Sequence, residues 1–400
     1  MNIAIYSGIF LPQINGVVSY VIDTATALVK RGHTVSVFVP KPKRNIKINR
    51  SLYPFTVYFL PSLPALIYPS LRVTQPSLFR LTNAMRELSI DIVHLNDPSP
   101  LCIEGMMAAK FMKIPVIVTF HSFFFDPDIF KTVRFSSVFQ VLKGPLVRLN
   151  TYFHNFADTV ICPSVSAQKE LLESGLTSPT VVIHNGIDVS HVHRLTPKEK
   201  TLLRQRYHIA TDAPTGIFVG RLAADKRVDV LLRAWVRVIS FFPKAILIIV
   251  GAGPQEKELR YGAQKLSLTH NVVFTGVVKR EDIMEESLYS LGDIYVSASR
   301  IENQSMSMTE AMAHGLPIVA VNMHGVSELV DETNGVLTGT GAVSLGKGIV
   351  SLLGDKEKGG RLGSTSLKKV RKYDVAETAR ELEKLYMSVQ VMGNPEEEHT

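Results

Sequence analysis

The chain has 400 residues, of which 46% are hydrophobic and 20% are charged, and its formal net charge is +8. This length predicts two or more domains, each able to bury a core, and this composition excludes an intrinsically disordered chain. The two cysteines, Cys102 and Cys162, stand in no metal-ligand spacing, which argues against a disulfide scaffold or a zinc site and is typical of a reducing compartment.

The N-terminus has the pattern of a folded domain. Residues 1–6, MNIAIY, favour a first strand and lack the basic start and apolar core of a signal peptide. The apolar region 55–71 is interrupted by Pro61, Pro64 and Pro69, so we expect it not to span a bilayer. These features predict a cytoplasmic protein.

Short runs rich in Val and Ile alternate with stretches of helical spacing. In residues 17–33 the apolar side chains fall on one helix face and Gly32 follows as a C-cap. That face consists of Val17, Val21, Ala25, Leu28 and Val29. The first series of predicted strands is IAIY, TVSVFV, DIVHL, PVIVTF, DTVICPS and TVVIH, and the second is TGIFVG, AILIIVG, NVVFTG, DIYVSAS and PIVAV.

Strands that alternate with helices predict parallel sheets covered by helices on both faces. A polar stretch, residues 190–206, separates the two series. We therefore predict an α/β protein with two Rossmann-like domains that face each other across a cleft. Ligands of such sheets bind beyond the carboxyl ends of the strands.

The positive charge is unevenly distributed along the chain. Residues 30–150 contain 16 Lys plus Arg and 6 Asp plus Glu, a net of +10, whereas the rest of the chain nets −2. This asymmetry predicts an anionic partner for one half, and an ordinary solvated basic face is the alternative. No nucleic-acid-binding motif is present in the sequence, so we do not expect nucleic acid.

The loop after the first strand is a candidate phosphate site. Gly16 stands where the first helix begins, and a glycine there allows backbone amides to approach an anion. A simple turn at Asn15-Gly16 is the alternative. The loop contains neither GxGxxG nor a P-loop GK[ST], which argues against a dinucleotide or Mg-ATP.

Two cations follow the first strand of the second series. Arg221 comes directly after FVG, and Lys226 lies near the start of the next helix. A planar guanidinium and a compact ammonium can together hold a diphosphate without a metal. The alternative is a pair of surface cations of little consequence.

The stretch Ala298–Ala320 places Glu302 in the loop before a predicted helix and Glu310 in the first turns of that helix. Carboxylates at the carboxyl end of a strand can accept hydrogen bonds from the vicinal hydroxyls of a ribose or a hexose. Ser307-Met308-Thr309-Glu310 also fits a capping box, so a structural role for Glu310 is the alternative.

Taken together, the sequence motifs resemble those of a known enzyme family. They are FLPQINGV, RGHTVSVFVP, FHS, CPS, HNGID, VGRL with DK, VGAGP, FTG, and the glutamate pair Glu302 and Glu310 in E…EAMAHGLPIVA followed by GVSELV. In this order the chain resembles retaining GT-B glycosyltransferases that use nucleotide sugars, a group that includes bacterial diacylglycerol glucosyltransferases and lipid mannosyltransferases.

The resemblance implies a role for each candidate residue. The donor-binding set would be Gly16, Arg221, Lys226, Glu302, Gln304, Ser305, Met306 and Glu310, with Gly16, Arg221 and Lys226 at the diphosphate, Glu310 at the ribose, and Glu302 with the amides of 304–306 at the sugar. His121 would lie beside the anomeric centre, so the catalytic set would be His121, Arg221, Lys226 and Glu302. The resemblance implies no metal and no cofactor.

The resemblance also implies domain bounds. We predict an N-terminal acceptor domain over 1–190, a C-terminal donor domain over 191–373, a helix at about 374–390 that returns to the first domain, and a flexible tail over 391–400. Many members of the group have E-x-F-G where this chain has Glu302-Asn303-Gln304-Ser305. Some lipid glucosyltransferases share Gln at this position together with the PQINGV loop, which favours a UDP-hexose such as UDP-glucose as donor.

The acceptor is inferred from residues 120–153, where phenylalanines alternate with Lys and Arg. A basic, aromatic, amphipathic segment is typical of proteins that lie on an anionic bilayer. The candidate contacts are Phe130, Lys131, Arg134 and Phe135, which predicts a peripheral membrane enzyme with a lipid acceptor. An ordinary core helix with a cationic outer face is the alternative.

Asp126-Pro127-Asp128 matches the metal-binding D-x-D pattern, but a loop turn with solvated carboxylates is the favoured interpretation. Three other functions stay open from the sequence. They are transfer to a soluble sugar or sugar phosphate, nucleotide-sugar epimerisation, and binding of a sugar nucleotide without catalysis.

Overall fold

The computed structural model describes residues 1–13, 15–46, 48–65, 72–121, 136–193, 195–278 and 280–393. The chain forms two compact units. Unit 1 contains Met1–Gly186 and the C-terminal segment from Val375, and unit 2 contains Ile187–Asp374.

In the described part of unit 1, seven strands form a parallel sheet in the order β3-β2-β1-β6-β7-β8-β9, and β4 pairs with β5 in a separate antiparallel hairpin. The bounds are β1 Asn2–Tyr6, β2 Thr34–Pro40, β3 Thr56–Leu60, β4 Ser62–Pro64, β5 Arg72–Thr74, β6 Ile92–Leu95, β7 Val116–Thr119, β8 Thr159–Cys162 and β9 Thr180–Val182. The central strands are buried on both faces, which explains their continuous apolar runs.

Helices cover both faces of this sheet. The helices of unit 1 among the described residues are α1 Gly16–Lys30, α2 Leu78–Glu87, α3 Pro100–Phe111, α4 Ser136–His154, α5 Val165–Glu173 and, at the C-terminus, Val375–Gly393. One apolar cluster joins α2, α3 and α5 to the sheet, and another joins α1 and the C-terminal helix to the opposite face. Arg31 and His33 both pair with Glu383, which fastens the C-terminal helix to the end of α1.

In the described part of unit 2, six strands form a second parallel sheet in the order β12-β11-β10-β13-β14-β15. The strand bounds are β10 Thr215–Val219, β11 Ile246–Val250, β12 Val272–Gly276, β13 Ile294–Ser297, β14 Ile318–Val321 and β15 Gly335–Thr338. The helices are α6 Pro197–Arg206, α7 Val228–Phe241, α8 Glu256–Lys265, α9 Arg280–Glu285, α10 Met306–Ala313, α11 Val326–Leu329, α12 Ala342–Leu353 and α13 Lys356–Lys369. The C-terminal helix of unit 1 is α14, Val375–Gly393.

The predicted strands and the first helix are confirmed. Each apolar run quoted above contains a strand, and α1 buries Val21, Ala25 and Leu28. Gly32 follows α1 with a φ of +88°, as a C-cap requires.

The polar stretch 190–206, which separates the two series of strands in the sequence, contains a helix. Its second half is α6, which begins with a capping box between Thr196 and Glu199. The guanidinium of Arg204 is buried and donates to Asp293 at 3.0 Å. The ion pair between the buried Arg204 and Asp293 therefore anchors α6 to the rest of unit 2.

The apolar region 55–71, which raised the question of a membrane span, is only partly described. The region 55–71 contributes β3 and β4 up to Pro64, and residues 66–71 lie outside the described part. Among the helices that the structure describes, none combines the length and the apolar character needed to cross a membrane.

Candidate active site

Arg221 is held by the turn that follows β10. Within this turn the Leu222 N–H donates to the Ala252 carbonyl at 3.0 Å, and the Leu222 carbonyl accepts from Gln255 N–H at 3.0 Å. A Cβ on Gly251 would lie 2.1 Å from the Gly220 carbonyl oxygen, and Gly251 has a φ of +131°. Only glycine allows this close approach, so the loop after β11 fixes the backbone that presents Arg221.

Four charged side chains form a cluster at the carboxyl ends of β10 and β13, which are neighbouring strands. Lys226 Nζ donates to Glu302 Oε1 at 2.6 Å and lies 3.7 Å from Asp225 Oδ2. Arg221 Nη2 donates to Asp225 Oδ1 at 3.3 Å. Two cations and two carboxylates therefore share this site, which we call the charge cluster.

The cluster keeps Lys226 protonated. Burial by itself favours the neutral amine, but the carboxylates of Glu302 and Asp225 outweigh it and raise the pKa of Lys226. The Lys226 side chain is 22% exposed, whereas that of Arg221 is 40% exposed. The site thus offers one anchored ammonium and one more accessible guanidinium to an anion.

The loop after Glu302 is buried and tied to the rest of unit 2. Gln304 and Ser305 are both buried, and Met306 is the first residue of α10. The Glu302 carbonyl accepts from Gly325 N–H at 3.0 Å, and a Cβ on Gly325 would lie 1.9 Å from the Asn303 carbonyl oxygen. Close backbone packing against Gly325 therefore helps to fix the loop that carries Glu302.

Glu310 is not a helix cap. Helix α10 begins at Met306 with Ser305 as its N-cap residue, so Glu310 is the fifth helical residue. Its carboxylate is buried and accepts a hydrogen bond from the Tyr289 hydroxyl at 2.7 Å. The capping-box alternative is wrong because the helix starts earlier than the Ser307-to-Glu310 pattern requires.

In unit 1, His121 follows β7 and lies beside residues from three other elements. Its Nε2–H donates to Asn96 Oδ1 at 3.2 Å. Its ring meets the Tyr20 ring edge-on at a centroid distance of 4.8 Å. Burial, and then the neighbouring His154, lower the pKa of His121 to about 3, so the ring is neutral at physiological pH.

Gly16 is the first residue of α1 and is exposed. The Asn15 side chain caps the helix by accepting from Val18 N–H at 3.0 Å. Tyr20, one turn further along α1, is the residue that contacts His121. The positive end of α1 and His121 therefore belong to the same region of unit 1.

The structure brings Lys226 into contact with Glu302 and links Arg221 to Lys226 through Asp225. Gln304, Ser305, Met306 and Glu310 lie on the segment that follows Glu302. Gly16 and His121 lie in unit 1. The predicted membrane contacts Phe130, Lys131, Arg134 and Phe135, and the D-x-D residues Asp126 and Asp128, lie outside the described residues. In the described ranges, no group of three or more His, Cys, Asp and Glu side chains could hold a metal ion.

Sequence reasoning missed two residues of the site. Asp225 contacts both cations, and its position directly before Lys226 was the available signal. Tyr289 lies in a short 3₁₀ helix, Leu288–Leu291, and reaches Glu310 from there. No spacing in the sequence links these last two residues.

Three histidines of unit 1, the buried His94 and His154 and the partly buried His121, predict a loss of stability in acid. Burial is the main cause that lowers the pKa of His94 and His121 to about 3 and of His154 to about 4. In the unfolded chain a histidine is protonated near pH 6.5. The stability that these neutral histidines contribute is therefore fully present above that pH and is lost as the pH falls toward their pKa values in the folded protein. We expect the unfolding temperature to fall between pH 6.5 and 5.

Calorimetry from pH 7.5 to 5 tests this expectation. His94 contacts Tyr386 and Thr119, both at 2.6 Å, and His94→Gln keeps a polar side chain there without a titrating group. The unfolding temperature of this variant should fall less steeply with decreasing pH than that of the wild type. A wild-type unfolding temperature that stays level down to pH 5 would contradict the expectation.

Two family models match the chain in succession. The first is described as Glycosyltransferase Family 4 and matches residues 14–191, and the second is described as Glycosyl transferases group 1 and matches residues 199–369. The chain belongs to the GT-B glycosyltransferases. The resemblance noted in the sequence, the α/β fold class with two Rossmann-like sheets and the assignment as a glycosyltransferase are thereby confirmed.

The curated relatives of this glycosyltransferase are named for the synthesis of a glycolipid or for the use of a nucleotide sugar. It is 26% identical to alpha-monoglucosyldiacylglycerol synthase of Streptococcus pneumoniae, over 83% of this chain and 74% of the relative. It is also 26% identical to the synthase of the same name from Acholeplasma laidlawii, with 80% of each chain covered. A GDP-mannose-dependent alpha-mannosyltransferase of Corynebacterium glutamicum is 26% identical over 84% of this chain and 76% of the relative.

Among solved structures, HepE from Anabaena in complex with UDP-glucose is similar in fold. The TM-score is 0.77 at 22% identity, with 97% of this chain and 100% of HepE covered. At this identity the likeness establishes the GT-B fold and leaves the ligands of this glycosyltransferase to be inferred from its own residues.

Proposed function

We propose that this glycosyltransferase moves a hexose from a UDP-sugar, such as UDP-glucose, to a lipid hydroxyl at a membrane surface, with retention of the anomeric configuration. The observation that supports a nucleotide-sugar donor is the charge cluster, where Arg221 pairs with Asp225 and Lys226 pairs with Glu302. Cations that are held in place by carboxylates lose little freedom when a diphosphate binds.

Each donor residue has a task that suits its environment. Arg221 binds the diphosphate through its more accessible guanidinium, and Lys226 adds a second positive charge. Glu302 accepts hydrogen bonds from sugar hydroxyls while Lys226 keeps it oriented. Backbone amides of Gln304, Ser305 and Met306 lie at the start of α10, where the helix dipole favours a negative group.

In the proposed reaction the bond between the anomeric carbon and the diphosphate oxygen breaks, and the acceptor oxygen bonds to the same face of that carbon. The acceptor proton passes to the departing diphosphate. Arg221, Lys226 and the helix amides stabilise the negative charge that develops there, so the step needs no metal. His121 is neutral and serves as a hydrogen-bonding group beside the anomeric centre rather than as a cation.

Two observations support a lipid acceptor. The named activities of two relatives are syntheses of glucosyldiacylglycerol. The described half of α4 also exposes apolar side chains, with Leu149 59% and Tyr152 61% exposed and Arg148 next to them. Exposed aliphatic and aromatic groups beside a cation are typical of a surface that binds anionic bilayers.

A substitution at Glu310 tests the ribose contact. Glu310→Gln keeps an oxygen that can accept from Tyr289 but loses the charge that ribose hydroxyls prefer. We expect UDP affinity to fall about tenfold, because a hydrogen bond to a charged group contributes roughly 1.5–3 kcal/mol. The unfolding temperature should barely change. A lower unfolding temperature with unchanged UDP affinity would instead assign Glu310 a purely structural role.

Charge reversal tests the membrane contact. Lys131→Glu combined with Arg134→Glu should reduce co-sedimentation with anionic vesicles, since each basic group near such a surface contributes about 1 kcal/mol. Lipid glycosylation should fall with it, and both effects should shrink at high salt. UDP-sugar hydrolysis without lipid should stay nearly unchanged because the charge cluster is intact.

The matched control reverses two exposed charges on α8 of unit 2, Lys257→Glu with Lys265→Glu. This variant has the same change in net charge and should bind vesicles like the wild type. Equal losses in the two double variants would show that only the total charge matters and would contradict a membrane contact at residues 131–134.

A donor screen tests the proposed function as a whole. Nucleotide release is measured with UDP-glucose, UDP-galactose and GDP-mannose, with and without mixed anionic vesicles that contain diacylglycerol, always in excess chelator. We expect release with a UDP-hexose that increases when vesicles are added and persists without free metal. Release that stops in chelator and returns with Mg²⁺ would make Asp126 and Asp128 candidate ligands and would contradict the metal-free mechanism.

A further inference from the structure

Tyr289 and Glu310 form a hydrogen bond in the interior of unit 2. Tyr289 is fully buried and Glu310 is 5% exposed, and the phenol oxygen lies 2.7 Å from Glu310 Oε2. A carboxylate removed from water needs donors for its lone pairs, and each one that it lacks is costly. The Tyr289 hydroxyl supplies one such donor, to Oε2 of Glu310.

The surroundings make Tyr289 a rigid donor. Its ring packs against the His314 ring at a centroid distance of 5.0 Å, and His314 Nδ1 lies 2.9 Å from the Glu310 carbonyl oxygen. The neighbours Leu288 and Leu291 of the same 3₁₀ helix are fully buried. A side chain that is packed in this way holds the acceptor oxygen in one place, because neither partner can rotate without breaking the contact.

We propose that Tyr289 is a positioning residue that orients the Glu310 carboxylate toward the two hydroxyls of the nucleoside ribose. This inference rests on the ribose role proposed above for Glu310. With Oε2 fixed by the phenol, rotation of the carboxylate is restrained, so its geometry is set before the nucleotide arrives. The consequence is specificity, since a site that is built to accept from hydroxyl groups rejects an analogue that lacks them.

The experiment compares two ligands by calorimetric titration, UDP and 2′,3′-dideoxyuridine diphosphate, without acceptor or lipid. Tyr289→Phe removes only the hydroxyl. We expect this variant to bind UDP about fivefold more weakly, because a hydrogen bond to an ionised group contributes more than an average one. Its affinity for the dideoxy nucleotide should stay within about twofold of the wild type, since that ligand makes no contact with Glu310.

Tyr373→Phe is the matched control. Tyr373 is also a buried tyrosine of unit 2, and its hydroxyl donates to the Glu328 carbonyl at 3.3 Å. Loss of this hydroxyl should leave the ratio of the two affinities as in the wild type, even if the protein melts at a lower temperature. Replacement of Tyr289 by p-aminophenylalanine restores a donor of similar reach, so it should restore the preference for UDP and also covers the case in which Tyr289→Phe folds poorly.

The outcomes separate the two claims. Suppose that Glu310→Gln loses the preference for UDP over the dideoxy nucleotide. If the double variant Tyr289→Phe with Glu310→Gln shows no further loss of this preference, the two residues act as one unit and the proposal is supported. If Glu310→Gln loses the preference but Tyr289→Phe keeps it, the positioning role is overturned while the ribose role stands. If Glu310→Gln keeps the preference, the ribose role fails and the positioning role fails with it.

Discussion

Replacement of Arg221 by alanine should lower kcat/KM for the UDP-sugar by roughly 30- to 1000-fold, which corresponds to about 2–4 kcal/mol of transition-state stabilisation. The Arg221 side chain is 40% exposed and its guanidinium contacts Asp225, so we expect it to bind a diphosphate without leaving its carboxylate partner. The charge on the departing nucleotide grows in the transition state, so the loss should appear in kcat as well as in KM.

Two further variants sharpen this prediction. Arg221→Lys keeps the charge without the planar fork and should recover only part of the activity. Arg233→Ala removes an exposed arginine that pairs with Asp229 at 2.7 Å on α7, and it should leave the kinetics unchanged. Wild-type kinetics in Arg221→Ala would remove Arg221 from the donor site.

Replacement of Lys226 by methionine should affect both stability and activity. The Glu302 and Asp225 side chains are 12% and 8% exposed, so this change leaves two nearly buried carboxylates without their ammonium. Breaking a buried ion pair costs roughly 3–5 kcal/mol, and we expect about 3 kcal/mol here because the Lys226 side chain is 22% exposed. Denaturant unfolding measures the stability, and nucleotide release measures the activity.

A double variant separates the two effects. Lys226→Met combined with Glu302→Gln removes the unpaired charge, so it should regain most of the stability while transfer stays low. The surface pair of Lys244 and Asp212, at 2.8 Å, supplies the control, and Lys244→Met should change neither quantity. Recovery of transfer in the double variant would show that the pair is structural and takes no part in donor binding.

Much of the fold follows from local patterns. Apolar runs of Val and Ile that alternate with amphipathic stretches predicted both parallel sheets, because parallel strands that are buried on both faces carry such continuous runs. The resemblance implied that the turn with Arg221 and Lys226 and the loop with Glu302 both bind the donor. In the structure, the pairing of the neighbouring strands β10 and β13 brings Lys226 to Glu302.

Other features depend on contacts between distant residues, which no local pattern records. Strand β3 lies in a region that reads as an apolar run interrupted by prolines, and β15, GVLT, is short and weakly apolar. The role of Asp225 and the contact of Tyr289 with Glu310 require knowledge of which elements pack together. The capping box at Ser307, which was the alternative role for Glu310, is wrong because α10 begins at Met306, one residue before that serine.

The most direct test is the structure of the product. Anionic vesicles that contain diacylglycerol are incubated with UDP-glucose and the glycosyltransferase, and the lipid extract is examined by mass spectrometry and by the anomeric proton coupling in NMR. We expect a glucosyl-diacylglycerol with the α configuration of the donor. A β-linked product would contradict retention, and an unmodified lipid beside efficient glycosylation of a soluble sugar would contradict the lipid acceptor.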